Sequence, residues 1–293
     1  MRMLRIYLLI LFVFSLTHYS FAQTNYEYLG GLKLNDSTII SYKINFIVND
    51  EDVKGFSVTD LGGEHETRSN VFGEYDIKKR ELSFRETGIV YTKSPVSQND
   101  FCFLNVTAKN FVFGKTKSVK TKFIGLFSDN TECINGEIAL NSAEKVEKRI
   151  NKVVTKINKS KRVADSVKQK INMIKVMDSL NMNILRKNQT LSFFTKSSKI
   201  RFIIYDGGQE DGDNITITSN GKTILKSYVA NKTEKYLDVD LNSNKTSIVI
   251  KANNEGKIAP NTVVVKIDDG SNLVKALSNL KTSETTQIDI LKN

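Results

Sequence analysis

Fifty consecutive residues, Asn141 to Thr190, contain neither proline nor glycine. Val146, Ile150, Val153 and Ile157, then Ala164, Val167, Ile171 and Ile174, recur within them at spacings of three and four. That rhythm predicts a helix with one apolar stripe, close to a heptad seam. Asn141 with Glu144 three residues on reads as a helix start. Nothing obliges a break, although Ser160 and Asp178 fall on the stripe. A bend or short loop fits near 158–161 or 181–183. A straight helix of about 45 residues would span roughly 65 Å, so the stretch separates an N-terminal block from a C-terminal one.

The opposite face is basic. The chain carries a formal net charge of +11, and this segment holds thirteen Lys or Arg against Glu144, Glu147, Asp165 and Asp178. Outside it, and without residues 1–22, the chain is close to neutral. Lys148, Arg149, Lys152, Lys156, Lys159, Lys161 and Arg162 are the candidate contacts to an anionic surface. Two other readings stand beside that one: a solvated face whose seam packs on the protein's own β domains, and a seam that pairs with a second copy. Nucleic acid is disfavoured, because the segment has no aromatic side chain for base stacking.

Residues 1–22 begin with Arg2 and Arg5, continue as an apolar core over 6–16, and end Ser20-Phe21-Ala22. Small residues at the last and third-last positions predict a secretory signal peptide cleaved after Ala22. The expected product is exported, periplasmic or secreted, with no transmembrane segment in the mature chain. No cysteine follows the cleavage site, which argues against a lipid anchor. In such a compartment Cys102 and Cys133, the only two cysteines, are expected to form one disulfide.

Over 23–140, short alternating runs are separated by Gly or Asp-Asn turns: 42–48, 53–59, 71–75, 81–85, 88–92, 101–113, 120–127 and 134–140. This spacing predicts an antiparallel β-barrel or sandwich. Phe46, Phe56, Phe72, Phe84, Phe101, Phe103, Phe111, Phe113, Phe123 and Phe127 are available to fill it. The barrel mouth is the alternative place for a small ligand. Over 191–293, runs at 200–205, 214–218, 236–241, 247–252 and 262–267, with an Asn220-Gly221 hairpin signal, predict a β-sandwich. The fold class is therefore mainly β with a helical connector.

The most pointed polar stretch is Asp206-Gly-Gly-Gln-Glu210-Asp211-Gly-Asp213. Four carboxylates joined by glycines make Asp206, Glu210, Asp211 and Asp213 candidate ligands for Ca²⁺, which takes six to eight oxygens. Asp211 and Asp213 match the start of an EF-hand loop, but the twelfth position lacks its glutamate. An acidic solvated turn is the competing reading. Glu64-His65-Glu66 reads as a solvated turn, since adjacent residues of an extended tripeptide face opposite ways.

Asp211-Gly-Asp-Asn-Ile-Thr-Ile217, Asn220-Gly-Lys222, Ile250 to Gly256, Ala259-Pro-Asn-Thr262 and Asp268-Asp-Gly270 together resemble a small β-sandwich module of exported Bacteroidetes proteins. The resemblance covers the last third of the chain and carries no activity with it. More distantly, this third is similar to calcium-dependent carbohydrate-binding modules, which would make Tyr205, Tyr228 and Tyr236 the candidate sugar contacts.

A Ser-His-Asp set, a phosphate loop and a CxxC pair are all missing from the sequence. Ser142-x-x-Lys145 and Ser219-x-x-Lys222 lack the companion motifs of penicillin-binding enzymes. The expectation is a non-catalytic binding or scaffolding protein of a bacterial envelope, with envelope polysaccharide or an envelope protein as partner. The alternatives are an oligomer assembled through the helix seam and a glycan hydrolase whose carboxylates are distant in sequence.

Overall fold

The computed structural model describes residues 24–34, 38–95, 101–164, 168 and 182–292. Residues 1–23, where a signal peptide is expected, and residues 169–181 lie outside the described residues. Eight strands come first: β1 (Thr24–Leu34), β2 (Ile39–Asn49), β3 (Asp52–Thr59), β4 (Thr67–Asp76), β5 (Glu81–Thr92), β6 (Phe103–Ala108), β7 (Ser118–Leu126) and β8 (Glu132–Ser142). Each pairs antiparallel with the next, and β1 also pairs with β8. The meander therefore closes into an eight-stranded barrel, and closure removes the exposed strand edges.

Period-two alternation sends one face of each strand inward. Tyr42, Ile44 and Phe46 of β2 are fully buried with Tyr28, Phe84 and Phe123. The rings of Phe46, Tyr75, Phe111 and Phe113 meet edge to face at 4.8 to 6.4 Å between centroids. Aromatic side chains thus occupy the lumen in which the sequence also allowed a ligand. The expected filling is corrected in part: Phe72 is 46% exposed outside the barrel, and Phe56 lies under the Arg68 guanidinium, 3.9 Å from ring centroid to Cζ.

The runs at 81–85 and 88–92 are one strand. Around Gly88 the register against β4 shifts, and β5 continues. Its first half closes the barrel against β6 through Leu82 to Arg85. Its second half stays paired with β4 and parts from β6, and there Tyr91 and Thr92 pair with the C-terminal block.

That block holds β9 (Asn183–Leu185), β10 (Thr190–Thr195), β11 (Lys199–Asp206), β12 (Asn214–Ser219), β13 (Lys222–Val229), β14 (Lys235–Asp240), β15 (Lys245–Ala252), β16 (Val263–Asp268), β17 (Leu273–Ser278) and β18 (Thr285–Lys292). One sheet runs β13-β12-β15-β18-β10 and passes through β5 into the barrel; the second runs β14-β11-β16-β17-β9. Phe193, Ile248 and Ile290 of the first sheet share a core with Phe202, Ile204 and Val265 of the second. Asn220 and Gly221 have φ of 47° and 80°, the two left-handed residues a type I′ hairpin needs.

The connector breaks at one of the two places that the sequence allowed, 158–161. Helix α1 spans Ala143–Lys159, has Ser142 rather than Asn141 at its N-cap, and ends where Ser160 turns extended. Asn141 and Ser142 instead finish β8, paired with β1. At the far end, Asn183 to Leu185 pair in parallel with β17, and Leu185 is buried. Pairing and burial there override the helical register, as tertiary context commonly does. No residue of α1 is buried; the helix contacts β1 and β8, and Lys145 Nζ donates to Ser118 Oγ of β7. Of the seam over 143–159, Val146, Ile150 and Ile157 are half-buried and Val153 is exposed, so it is covered only in part. Val167, Ile171 and Ile174 lie outside the described residues.

Candidate metal centre

Asp206 ends β11, and the glycines after it let the chain turn back so that Asp211 and Asp213 approach the same point. One carboxylate oxygen from each of the three lies within 4.8 Å of one from each of the others. Asp206 and Asp213 are fully buried; Asp211 is half-buried, with a buried Oδ1.

Each carboxylate spends one oxygen on a backbone amide. Asp206 Oδ1 accepts from Gly208 N at 2.7 Å, Asp211 Oδ2 from Ile258 N at 2.6 Å, and Asp213 Oδ2 from Thr262 N at 2.6 Å. The remaining oxygens, Asp206 Oδ2, Asp211 Oδ1 and Asp213 Oδ1, are buried without a hydrogen-bond partner. Buried polar atoms are normally satisfied, and leaving one unmade costs about 1–3 kcal/mol. Three in one corner demand a cause.

Asn261, a fully buried residue next to Thr262, also carries an unsatisfied oxygen. Its Nδ2 donates to Asn214 O and Asn254 O at 3.3 and 3.1 Å, while its Oδ1 has no partner. The loop carrying it also passes Gly256 against Asp211. A Cβ there would come within 2.3 Å of Asp211 Oδ1, and φ is +60°, so only glycine fits.

The electrostatics agree with an unmet need for positive charge. Burial, with Asp211 and Asp206 nearby, raises the Asp213 carboxyl above its ordinary range, and the bonds from Thr262 oppose this. Lys232 is the nearby cation: its Nζ lies 3.8 Å from Asp206 Oδ1 and donates to Asp206 O and Gly208 O. One ammonium against three carboxylates leaves two negative charges, matched to a divalent cation. Oxygens within 4.8 Å suit Ca²⁺, whose 2.3–2.6 Å bonds place opposed ligands about 5 Å apart.

Three of the four sequence-predicted ligands are brought together, and Glu210 is not. It is exposed, and its Oε1 accepts from Lys232 N at 2.5 Å. Asn261 escaped the sequence reading because it lies 48 residues beyond Asp213. Its signal was the Ala-Pro-Asn-Thr run, singled out without a role.

The other predicted groups disperse. Tyr205 and Tyr236 lie on one sheet, Tyr205 beside Lys266 and Tyr236 hydrogen-bonded to Glu234, whereas Tyr228 packs on the other sheet. The three therefore do not share one sheet. Lys148, Arg149, Lys152, Lys156, Lys159, Lys161 and Arg162 are all exposed, the last two beyond the end of α1. Glu144 joins Lys117 and Lys148, and these partners hold its carboxyl down to about 2. His65 is exposed beside Ser94, as a solvated turn requires. Its neighbour Glu66 departs from that reading: it is buried, accepting from Tyr91 OH at 2.8 Å and Gly62 N at 2.6 Å. Cys102 and Cys133 are disulfide-bonded, fastening the start of β6 to β8. Among the described residues, no helix is long and apolar enough to cross a membrane. Compared with protein-family models, curated proteins and solved structures, the chain matches none.

Proposed function

We propose that this protein is an exported, non-catalytic binding module of a bacterial envelope whose C-terminal β-sandwich is organised by one calcium ion. The observation that carries the reading is the set of leftover oxygens: three aspartates and Asn261, each anchored at one atom and unsatisfied at the other. A hard cation with flexible coordination uses such atoms, and three carboxylates plus a carboxamide suit calcium better than the near-ideal octahedron magnesium demands. The ion would tie the turn after β11 to the loop before β16 and fix the sandwich rim that meets a partner. The disulfide supports an oxidising compartment. The exposed lysines and arginines of α1 and just beyond supply a second contact, to anionic polysaccharide.

Cosedimentation of the mature protein with peptidoglycan sacculi and acidic envelope polysaccharide tests the reading, at low and high salt, with and without chelator. Binding lost in chelator assigns the contact to the calcium rim. Binding lost in salt assigns it to the basic helix, because exposed charge is screened. No binding in any condition overturns the envelope-glycan part of the proposal.

A second reading, an oligomer built through the helix seam, is favoured by one fact: Val153 is 55% exposed on a helix with nothing buried. Sedimentation velocity over a range of concentrations decides it, and a monomer throughout removes it.

A further inference from the structure

The outer wall of the barrel meets β9 and β17 around a half-enclosed cavity of about 200 Å³. At roughly 30 Å³ per water it has the room of about seven waters, the size of a small organic molecule. Its lining is charged. Glu27 and Lys43 pair at 3.2 Å, and Glu66, bonded to Tyr91 OH, lies 3.7 Å from the Lys93 ammonium. Both carboxylates are therefore already neutralised.

Arg68 is different. Its guanidinium stacks on Phe56, and its Nη1 donates to Leu273 O at 3.2 Å. Its Nε is buried without a partner, and among the described residues no carboxylate lies within ion-pairing distance of it. Opposite stands Asn183, a residue 3% exposed, beside the Tyr91 hydroxyl. Neither its Nδ2 nor its Oδ1 has a hydrogen-bond partner of proper geometry. The cavity lining thus offers an uncompensated guanidinium from Arg68 and an amide donor and acceptor from Asn183.

We propose that this cavity is a binding site for a small organic carboxylate bearing a neighbouring hydroxyl or amino group. The carboxylate takes Arg68 Nε and Asn183 Nδ2, a planar pairing for which a guanidinium is suited. The neighbouring donor supplies the hydrogen that Asn183 Oδ1 lacks. The site stands on a different part of the molecule from the aspartate cluster and does not depend on calcium.

The test uses the full mature chain and a panel of probes: acetate, glycolate, glycine and L-lactate, each beside its carboxamide. The Nε–H resonance of Arg68 is followed by NMR, with titration calorimetry for affinity. Glycolate, glycine or lactate should shift that resonance, with the matching amide at least about tenfold weaker. Arg68→Met and Asn183→Leu should each abolish the binding. Asn183→Leu should fold at least as stably as the parent, since it removes two unsatisfied buried atoms, so loss of binding there is not loss of fold. Silence of the Arg68 resonance toward every carboxylate, equal binding of acids and amides, or undiminished binding by Asn183→Leu each overturns the proposal. Repeating the titration in chelator separates the two sites: removing calcium should lower melting and leave this binding intact, whereas unchanged melting overturns the calcium reading alone.

Discussion

Glu86 of the barrel and the aspartate cluster of the C-terminal block are treated in opposite ways by the fold. In the barrel, Glu86 is 5% exposed; its Oε1 accepts from Tyr42 OH and Ser57 Oγ at 3.0 and 2.5 Å, and its Oε2 from Leu104 N at 2.9 Å. Both oxygens are used, and the charge is held by the fold alone. In the second block, Asp206, Asp211 and Asp213 each keep one buried oxygen unused. The difference separates a structural carboxylate from a ligand: a buried acid with every lone pair committed has nothing to offer an ion, and one with a free oxygen does.

The largest test of that contrast is calcium itself. A ligand that binds only the folded state, at a thousandfold excess over its Kd, stabilises by about 4 kcal/mol. The mature chain should melt lower in chelator, and hydrogen exchange should place the loosening at 206–213 and 253–262 and not in the barrel. Asp213→Asn should erase the calcium dependence. If melting is identical with and without calcium, the centre is a turn and the contrast collapses.

The converse test acts on the barrel. Cys102→Ser should cost about 2–4 kcal/mol by freeing the loop that the disulfide closes, with exchange rising in β6 to β8. Calcium affinity should be unaltered; a fall would mean that the two regions are coupled through the shared strand β5.

A finer test concerns Glu86 alone. Burial raises its carboxyl above the ordinary 4.5, and the three hydrogen bonds only partly oppose this. The folded state therefore holds the proton more tightly than the unfolded chain. Stability from this group is complete below the unfolded value and declines as pH rises from about 4.5 through the raised folded value. Glu86→Gln, whose carbonyl can accept from Leu104 N and whose amide nitrogen can donate to the Tyr42 and Ser57 hydroxyls, should cost no more than about 1 kcal/mol and flatten that slope. Melting both proteins across this range, with calcium fixed, measures the difference.

The smallest expected effect is on α1. Val153→Lys should change stability by no more than about 0.5 kcal/mol, as for exposed positions generally. A larger loss, or a smaller sedimentation coefficient, would show that the seam is covered by a second copy.

Much of this was legible in the chain. Alternating runs and turn residues marked most strands, and the paired cysteines marked the disulfide. The crowd of aspartates and glycines after Tyr205 marked three of the ligands. Other features were hidden because their causes are non-local. Glu210 is as acidic as its neighbours, yet the Lys232 amide draws it away. Asn261 resembles any polar loop residue until burial leaves its Oδ1 stranded. Gly88 looked like a break between strands, although β5 continues past it.

The sequence by itself determined where strands and turns form, where charge concentrates, and which short stretch gathers carboxylates, since each is set by the chemistry of near neighbours. Tertiary structure decided that Asn183 to Leu185 join a sheet and that one strand serves two cores. It also decided which oxygens remain unpaired. That outcome depends on which atoms meet across separations of tens to hundreds of residues, and no local pattern encodes it.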